Sequence, residues 1–283
     1  MSWQILLIIS IISLSFNGLL HKSLLRDDKS DPRAQAIVFL GIGGILSIVI
    51  ALVRGKFNLE FPSPLIANFL ILAVFGTIAY ILKYRGFQLI SASEVVIFST
   101  TSKLWNVVGA ALFLHEAVTV QKMLGTLIIL AGIAVTMYVN KKFVVNKGIV
   151  VVLIGAVLFG LTDINGYFIL QSMDASNYQI YFYLVPVLAL LLAQPHIIKK
   201  ISYYFKLDRS LKVTALAIFD TLGMLTLFAA YQAGGKASIL GPLSATKIIV
   251  TVVLAILFLK ERDNIPRKLI GAVITVFGVI LLL

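Results

Sequence analysis

The sequence predicts an all-α integral membrane protein of ten transmembrane helices, built as two inverted five-helix repeats over 1–145 and 146–283. Three observations predict it: a composition too apolar for water, ten apolar runs of bilayer-spanning length, and a match between the two halves of the chain. Of the 283 residues 60% are hydrophobic and 13% charged, with a mean hydropathy of +1.02, whereas a soluble domain carries about 25% charged residues. A compact water-soluble fold of this length must still expose a large polar shell. The solvent is therefore lipid, and a multi-pass protein of the cell membrane is expected.

The runs follow in order, each near the 20 residues that cross about 30 Å of hydrocarbon. The first, 4–21, has no Lys or Arg ahead of it and no soluble domain directly after it, so it reads as a span and not as a signal peptide. A charged connection, Lys22 to Arg33, leads to 34–53, which Arg54 and Lys56 close; 65–82 is closed by Lys83 and Arg85. Glu94 opens 93–114, where a carboxylate suits a helix N-terminus, and Glu116 follows it. Next comes 120–139, closed by Lys141, Lys142 and Lys147, and then 149–171. The run 178–195 ends at a charged stretch, Lys199 to Leu211, ahead of 212–231; 238–259 ends at Lys260, Glu261 and Arg262 ahead of 266–283. The net charge of +12 sits in these clusters, which read as membrane-flanking loops and not as a nucleic-acid surface.

Residues 92–116, "ASEVVIFSTTSKLWNVVGAALFLHE", align without a gap on 237–261, "ASILGPLSATKIIVTVVLAILFLKE". Ser93/Ser238, Ser99/Ser244, Thr101/Thr246 and Glu116/Glu261 coincide. "QKMLGTLIILAG" (121–132) then matches "RKLIGAVITVFG" (267–278), keeping two glycines seven residues apart and so on one helix face. Asn17-Gly18 recurs as Asn165-Gly166. Matched Ser, Thr, Gly and Glu are not a by-product of apolar composition, and five spans is odd, so the second copy enters the membrane from the opposite side.

These motifs, "SAS…ALFLHE…KMLGTLIILAG" and "KAS…AILFLKE…KLIGAVITVFG", resemble the EamA-like transporters of the drug/metabolite transporter superfamily. The resemblance implies two copies of five spans and the transport of a small solute. It departs from the family pattern at the middle of the fourth helix of each repeat, where many members carry Pro and this chain has Ser102-Lys103 and Lys247-Ile248; Pro242 lies about a turn earlier and is expected to kink the ninth span.

A charge at membrane depth costs about 2.5–3.5 kcal/mol on insertion scales, so such residues are site candidates. Lys103, Asp163, Asp220 and Lys247 fall near the centres of spans four, six, eight and nine, and two cations with two anions sum to zero, as in a shared interior cavity. Trp105, two residues from Lys103, is the aromatic candidate for stacking on a ligand. Asn17, Asn165 and Gln232 suit interhelical hydrogen bonds as readily as ligand contact. Glu116 and Glu261 read as helix-end anchors.

No HExxH, GxSxG, P-loop or dinucleotide fingerprint occurs, the three histidines (His21, His115, His196) lie near span ends, and Cys is absent. An enzyme, a cofactor and a catalytic metal are therefore not expected. The expected function is secondary transport of a small metabolite, an amino acid or another carboxylate-bearing solute, by alternating access. Proton coupling through Asp163 or Asp220 and uncoupled flux are equally compatible with the residues. A non-transporting scaffold or receptor, and less readily an intramembrane enzyme, are the competing readings. Substrate identity and oligomeric state are not encoded in any motif.

Overall fold

The structure is a computed structural model that describes the chain apart from residues 26–28, 60–62, 114–118, 140–141, 144, 237–239, 241–242, 245, 262 and 282–283. Glu116, His115 and the Pro242 kink lie outside the described residues. Seven helices are long and apolar enough to cross a membrane: α1 (Trp3–Leu24), α2 (Pro32–Val53), α3 (Ser63–Leu89), α4 (Ala92–Phe113), α6 (Lys147–Leu170), α7 (Ala175–Ala193) and α8 (Leu207–Gln232). The shorter apolar helices are α5 (Val120–Thr136) and α9 (Lys247–Phe258), and α10 (Ile265–Leu281) follows them. The protein is thus an all-helical integral membrane protein; the only strand pairing among the described residues is a two-residue ladder, Tyr138 with Phe143 and Val139 with Lys142.

Two boundaries differ from the sequence reading in ways that matter. Helix α3 runs seven residues past 82, because nothing between Leu82 and Leu89 breaks a helix, and Lys83 and Arg85 are helical and not in a loop. Its carbonyl end is satisfied by Lys22, whose Nζ donates to the carbonyls of Phe87 and Ile90 at 2.6 and 2.7 Å. The stretch Lys199 to Leu211, expected as a charged connection, is instead wound into short turns at Ile198–Ile201 and Ser202–Phe205 before α8 begins.

Helix α2 starts where Asp31 caps it, its carboxylate accepting from Arg33 N–H at 2.9 Å with Pro32 in the first turn. Helix α4 starts at a capping box of Ser91 and Glu94. Glu261 reinforces that start from a distant part of the chain, accepting from Ala92 N–H at 2.6 Å and from the Ser93 hydroxyl at 2.5 Å. The anchoring role expected of Glu261 is thus a cap on another helix.

The helices pack in antiparallel pairs. Helix α2 lies along α7, with Arg33 bonded to Gln194 at one end and Arg54 to Ser176 at the other. Helix α3 lies along α6, where Asn68 and Asn165 exchange two hydrogen bonds of 2.7 and 2.9 Å. Helix α1 lies along α8, and α5 along α10. In the last pair the backbones almost touch: a Cβ added at Gly132 would meet Gly271 O at 2.8 Å, and one at Gly278 would meet Ile129 N at 2.6 Å. Close approach of this kind is how helices associate in lipid, where there is no hydrophobic drive between them.

Candidate functional site

Helices α1 and α4 are broken at membrane depth. Helix α1 breaks at Phe16, and α4 breaks between Ala92–Ser99 and Ser102–Phe113. The break in α4 needs no proline. The hydroxyl of Thr101 donates back to Phe98 O at 2.8 Å and that of Thr100 to Val96 O at 3.0 Å, bonds that bend a helix. The matched residue in the other half, Thr246, donates to Leu243 O at 2.7 Å just ahead of α9. Where the resemblance leads to an expectation of Pro, the break is served here by threonine.

A cavity of about 170 Å³ opens beside these breaks, with walls from α1, α2, α3, α4, α6, α7, α8 and α9. Lys103, Asp163, Asp220 and Lys247 all line it. Lys103 Nζ meets Asp163 Oδ2 at 2.9 Å, and Asn106 Nδ2 donates to the same oxygen at 3.3 Å. Asp220 is buried; Tyr183 donates its hydroxyl to Oδ2 at 2.6 Å, and the Nδ2 of Asn17 donates to Oδ1. Asn17 therefore reaches from one half of the chain to a carboxylate in the other. Among the described residues no carboxylate stands within 4.0 Å of Lys247 Nζ.

Trp105 is not brought to the cavity. Two positions along an α-helix is about 200° of rotation, so Trp105 leaves Lys103's face, packs its Cβ stem against Gly160 of α6 and stands 39% exposed on the outside of the bundle. Its role is the seam between α4 and α6. Gln232 also lies away from the cavity, accepting from Ala175 N–H at 3.0 Å and donating to Met173 O at 2.8 Å, so that it ties α8 to the start of α7.

Lys83 and His21 line the cavity and were not singled out as site residues in the sequence. Lys83 lines the cavity with its ammonium 5.3 Å from the centre of the Phe159 ring, and it upsets the balance of two cations against two anions. His21 lies in the last turn of α1, near a span end as the sequence placed it, but it is buried; its Nδ1 lies 2.9 Å from Gln35 Nε2, and Phe39, Tyr84 and Phe87 surround the ring at 4.4–5.5 Å. The available signal was the run from Ile81 to Ile90, which holds no Pro and whose single Gly is mid-run. Ending a span at its first charge discarded it.

A solved crystal structure superposes with a TM-score of 0.75 over 99% of this chain and 95% of its own, at 19% sequence identity, a likeness of fold. An uncharacterised protein of Methanocaldococcus jannaschii is 46% identical over 66 residues, 23% of this chain; the chain spans about half, 47%, of that relative's length. The EamA-like transporter family matches twice, over residues 1–138 and again over 146–283, nearly the whole chain. The chain belongs to the EamA-like transporter family.

Proposed function

We propose that the chain is a secondary carrier of the cell membrane that moves a small carboxylate-bearing metabolite by alternating access. In this reading two five-helix repeats of inverted topology, 1–145 and 146–283, rock about the cavity between them. One observation carries it: ionisable side chains from both repeats (Lys83 and Lys103 from the first, Asp163, Asp220 and Lys247 from the second) converge on one cavity at membrane depth, where unused charge is costly.

The packing supports the inverted relation. If each helix is exchanged with the one five places on, α1–α8 becomes α6–α3, α2–α8 becomes α7–α3, and α4–α6 becomes α9–α1, all of which are contacts in the bundle. Helices α2 and α7 are counterparts under that exchange and run antiparallel, as do α5 and α10. Repeats related by an axis along the membrane normal would make counterparts parallel. An axis in the membrane plane makes them antiparallel.

The test is solute flux in liposomes, with melting temperature alongside, for Lys103→Met, Asp163→Asn, Asp220→Asn and Lys247→Met. Carrier function predicts loss of uptake in folded Lys247→Met. The Lys103–Asp163 contact favours a structural share for that pair, so removing one partner is expected to cost roughly 1–3 kcal/mol, reduced from a fully buried pair because the Asp163 side chain is 29% exposed. The double change Lys103→Met with Asp163→Asn is expected to restore most of that stability. Unchanged flux in all four single variants would remove the binding role of these residues, and absence of flux in the folded wild-type chain would leave a scaffold in place of the carrier.

A further inference from the structure

The cavity contains three lysines, Lys83, Lys103 and Lys247, and two aspartates, Asp163 and Asp220. Lys103 is neutralised by Asp163 at 2.9 Å. The contacts of Asp220 are neutral donors, Tyr183 and Asn17, one on each oxygen. Among the described residues neither Lys83 nor Lys247 has a carboxylate within 4.0 Å, and Lys83 rests over the face of Phe159. The cavity thus holds one more lysine than it has aspartates to balance, in a place where unmatched charge is costly. We propose that the missing anion is the transported solute, an organic monocarboxylate without an ammonium group, whose carboxylate meets Lys83 and Lys247.

The remaining walls fit the rest of such a molecule. Phe159, Phe182, Met224, Leu227 and Phe228 line the cavity with apolar surface, and Phe182 and Phe228 stand edge to face at 5.5 Å. An ammonium group has a poorer site. Both oxygens of Asp220 already accept hydrogen bonds, and one oxygen of Asp163 is shared by Lys103 and Asn106. A zwitterion would add no net charge and leave the extra lysine unbalanced; a single negative charge balances it. Lys83 and Lys247 come from different repeats, so one carboxylate meeting both would also hold the two repeats in a defined relation. This inference narrows the carrier reading above and rests on it for transport, though not for binding.

The test is thermal shift of the purified full chain in detergent against matched solutes sharing one apolar body: 4-methylpentanoate, its amide, leucine and isopentylamine. The set is repeated with a straight-chain body and with an aromatic one. The expected result is a rise in melting temperature with the carboxylates only. Lys83→Gln and Lys247→Gln should each weaken the apparent affinity about tenfold or more, as expected when a charge-assisted bond is removed, while Lys56→Gln in an exposed connection leaves it unchanged. Lys83→Arg, which keeps the charge, separates loss of binding from loss of folding, and the wild-type series decides the charge class without any variant. A shift from leucine or the amine and none from the carboxylates overturns the proposal. So does a carboxylate shift that survives both lysine changes, or no shift from any carboxylate in the three sets. Flux of the same solutes in liposomes separates the two readings: carboxylate binding without flux overturns the carrier alone, and leucine flux overturns the monocarboxylate alone.

Discussion

Asp31 does two jobs with one carboxylate. It caps α2, and its other oxygen meets Lys200 Nζ at 2.7 Å, joining the start of α2 to the turns that follow α7. Burial alone would raise its pKa; the Lys200 ammonium, the Arg33 N–H and the Arg33 guanidinium outweigh that and hold the carboxyl below its usual value. A carboxyl whose folded pKa is depressed contributes stability above its unfolded pKa of about 4 and loses it as pH falls through the lower, folded value. Asp31→Asn should therefore narrow the stability difference between pH 7 and pH 3, read by thermal melting. The Lys200 side chain is 55% exposed, so an Asp31/Lys200 double-mutant cycle should return a coupling of no more than about 1 kcal/mol. Behind the cavity wall, Tyr183→Phe removes a donor from the buried carboxylate of Asp220 and should cost about 1–3 kcal/mol, measured as a fall in melting temperature. At this scale the sequence was legible where charge interrupts a strongly apolar run, as at Lys103, Asp163, Asp220 and Lys247. It was illegible at Lys83, because a charge near the end of a run looks the same whether the helix stops there or continues, and at His21, because the aromatic residues that bury its ring come from two other helices.

Helices α5 and α10 meet along the glycines that the repeat matched. Gly125 and Gly132 share one face and Gly271 and Gly278 another, and the antiparallel pairing sets Gly132 against Gly271 and Gly125 against Gly278. Spacing in the sequence gave the faces; only the fold shows that each copy of the motif docks on the other. Gly132→Ala puts a methyl within 2.7 Å of Thr275 N and 2.8 Å of Gly271 O, backbone atoms that cannot turn aside. The expected cost is about 1–3 kcal/mol. Gly41→Ala in α2 meets nothing within 4 Å and should be neutral or stabilising by up to about 1 kcal/mol. Melting temperatures of the two variants in the same detergent make the comparison; equal effects would mean that α5 and α10 do not pack backbone to backbone. The break in α4 was not legible at all, since a search for Pro passes over a threonine whose hydroxyl bonds back along its own helix.

At the scale of the whole molecule, Lys and Arg gather on the connections after the first, third, fifth, seventh and ninth helices, while Arg54, Lys56, Lys122 and Lys236 are the counterparts on the other side. Moving Lys83 into the cavity removes one residue from the richer side and leaves the bias standing. By the positive-inside rule the richer end is expected in the cytoplasm and both termini outside. Because the chain has no Cys, a single introduced thiol reports its own side without background. Lys56→Cys should react with a membrane-impermeant maleimide in intact cells and Lys200→Cys should not; the reverse pattern would invert the orientation. Composition and run length made the membrane fold legible from the start. The unequal charge of the cavity was hidden, because it depends on which helices face one another.

The central claim, that the cavity opens alternately to the two sides of the membrane, is tested most directly by the same chemistry at Ser99 and Ser244, which the repeat pairs and which both line the cavity. Ser99→Cys and Ser244→Cys would be reconstituted singly in liposomes, sorted by orientation and exposed to impermeant maleimide from either side. The account predicts that each thiol reacts from both sides and is protected from both by a bound carboxylate. Reaction from one side only, or from neither, would contradict it.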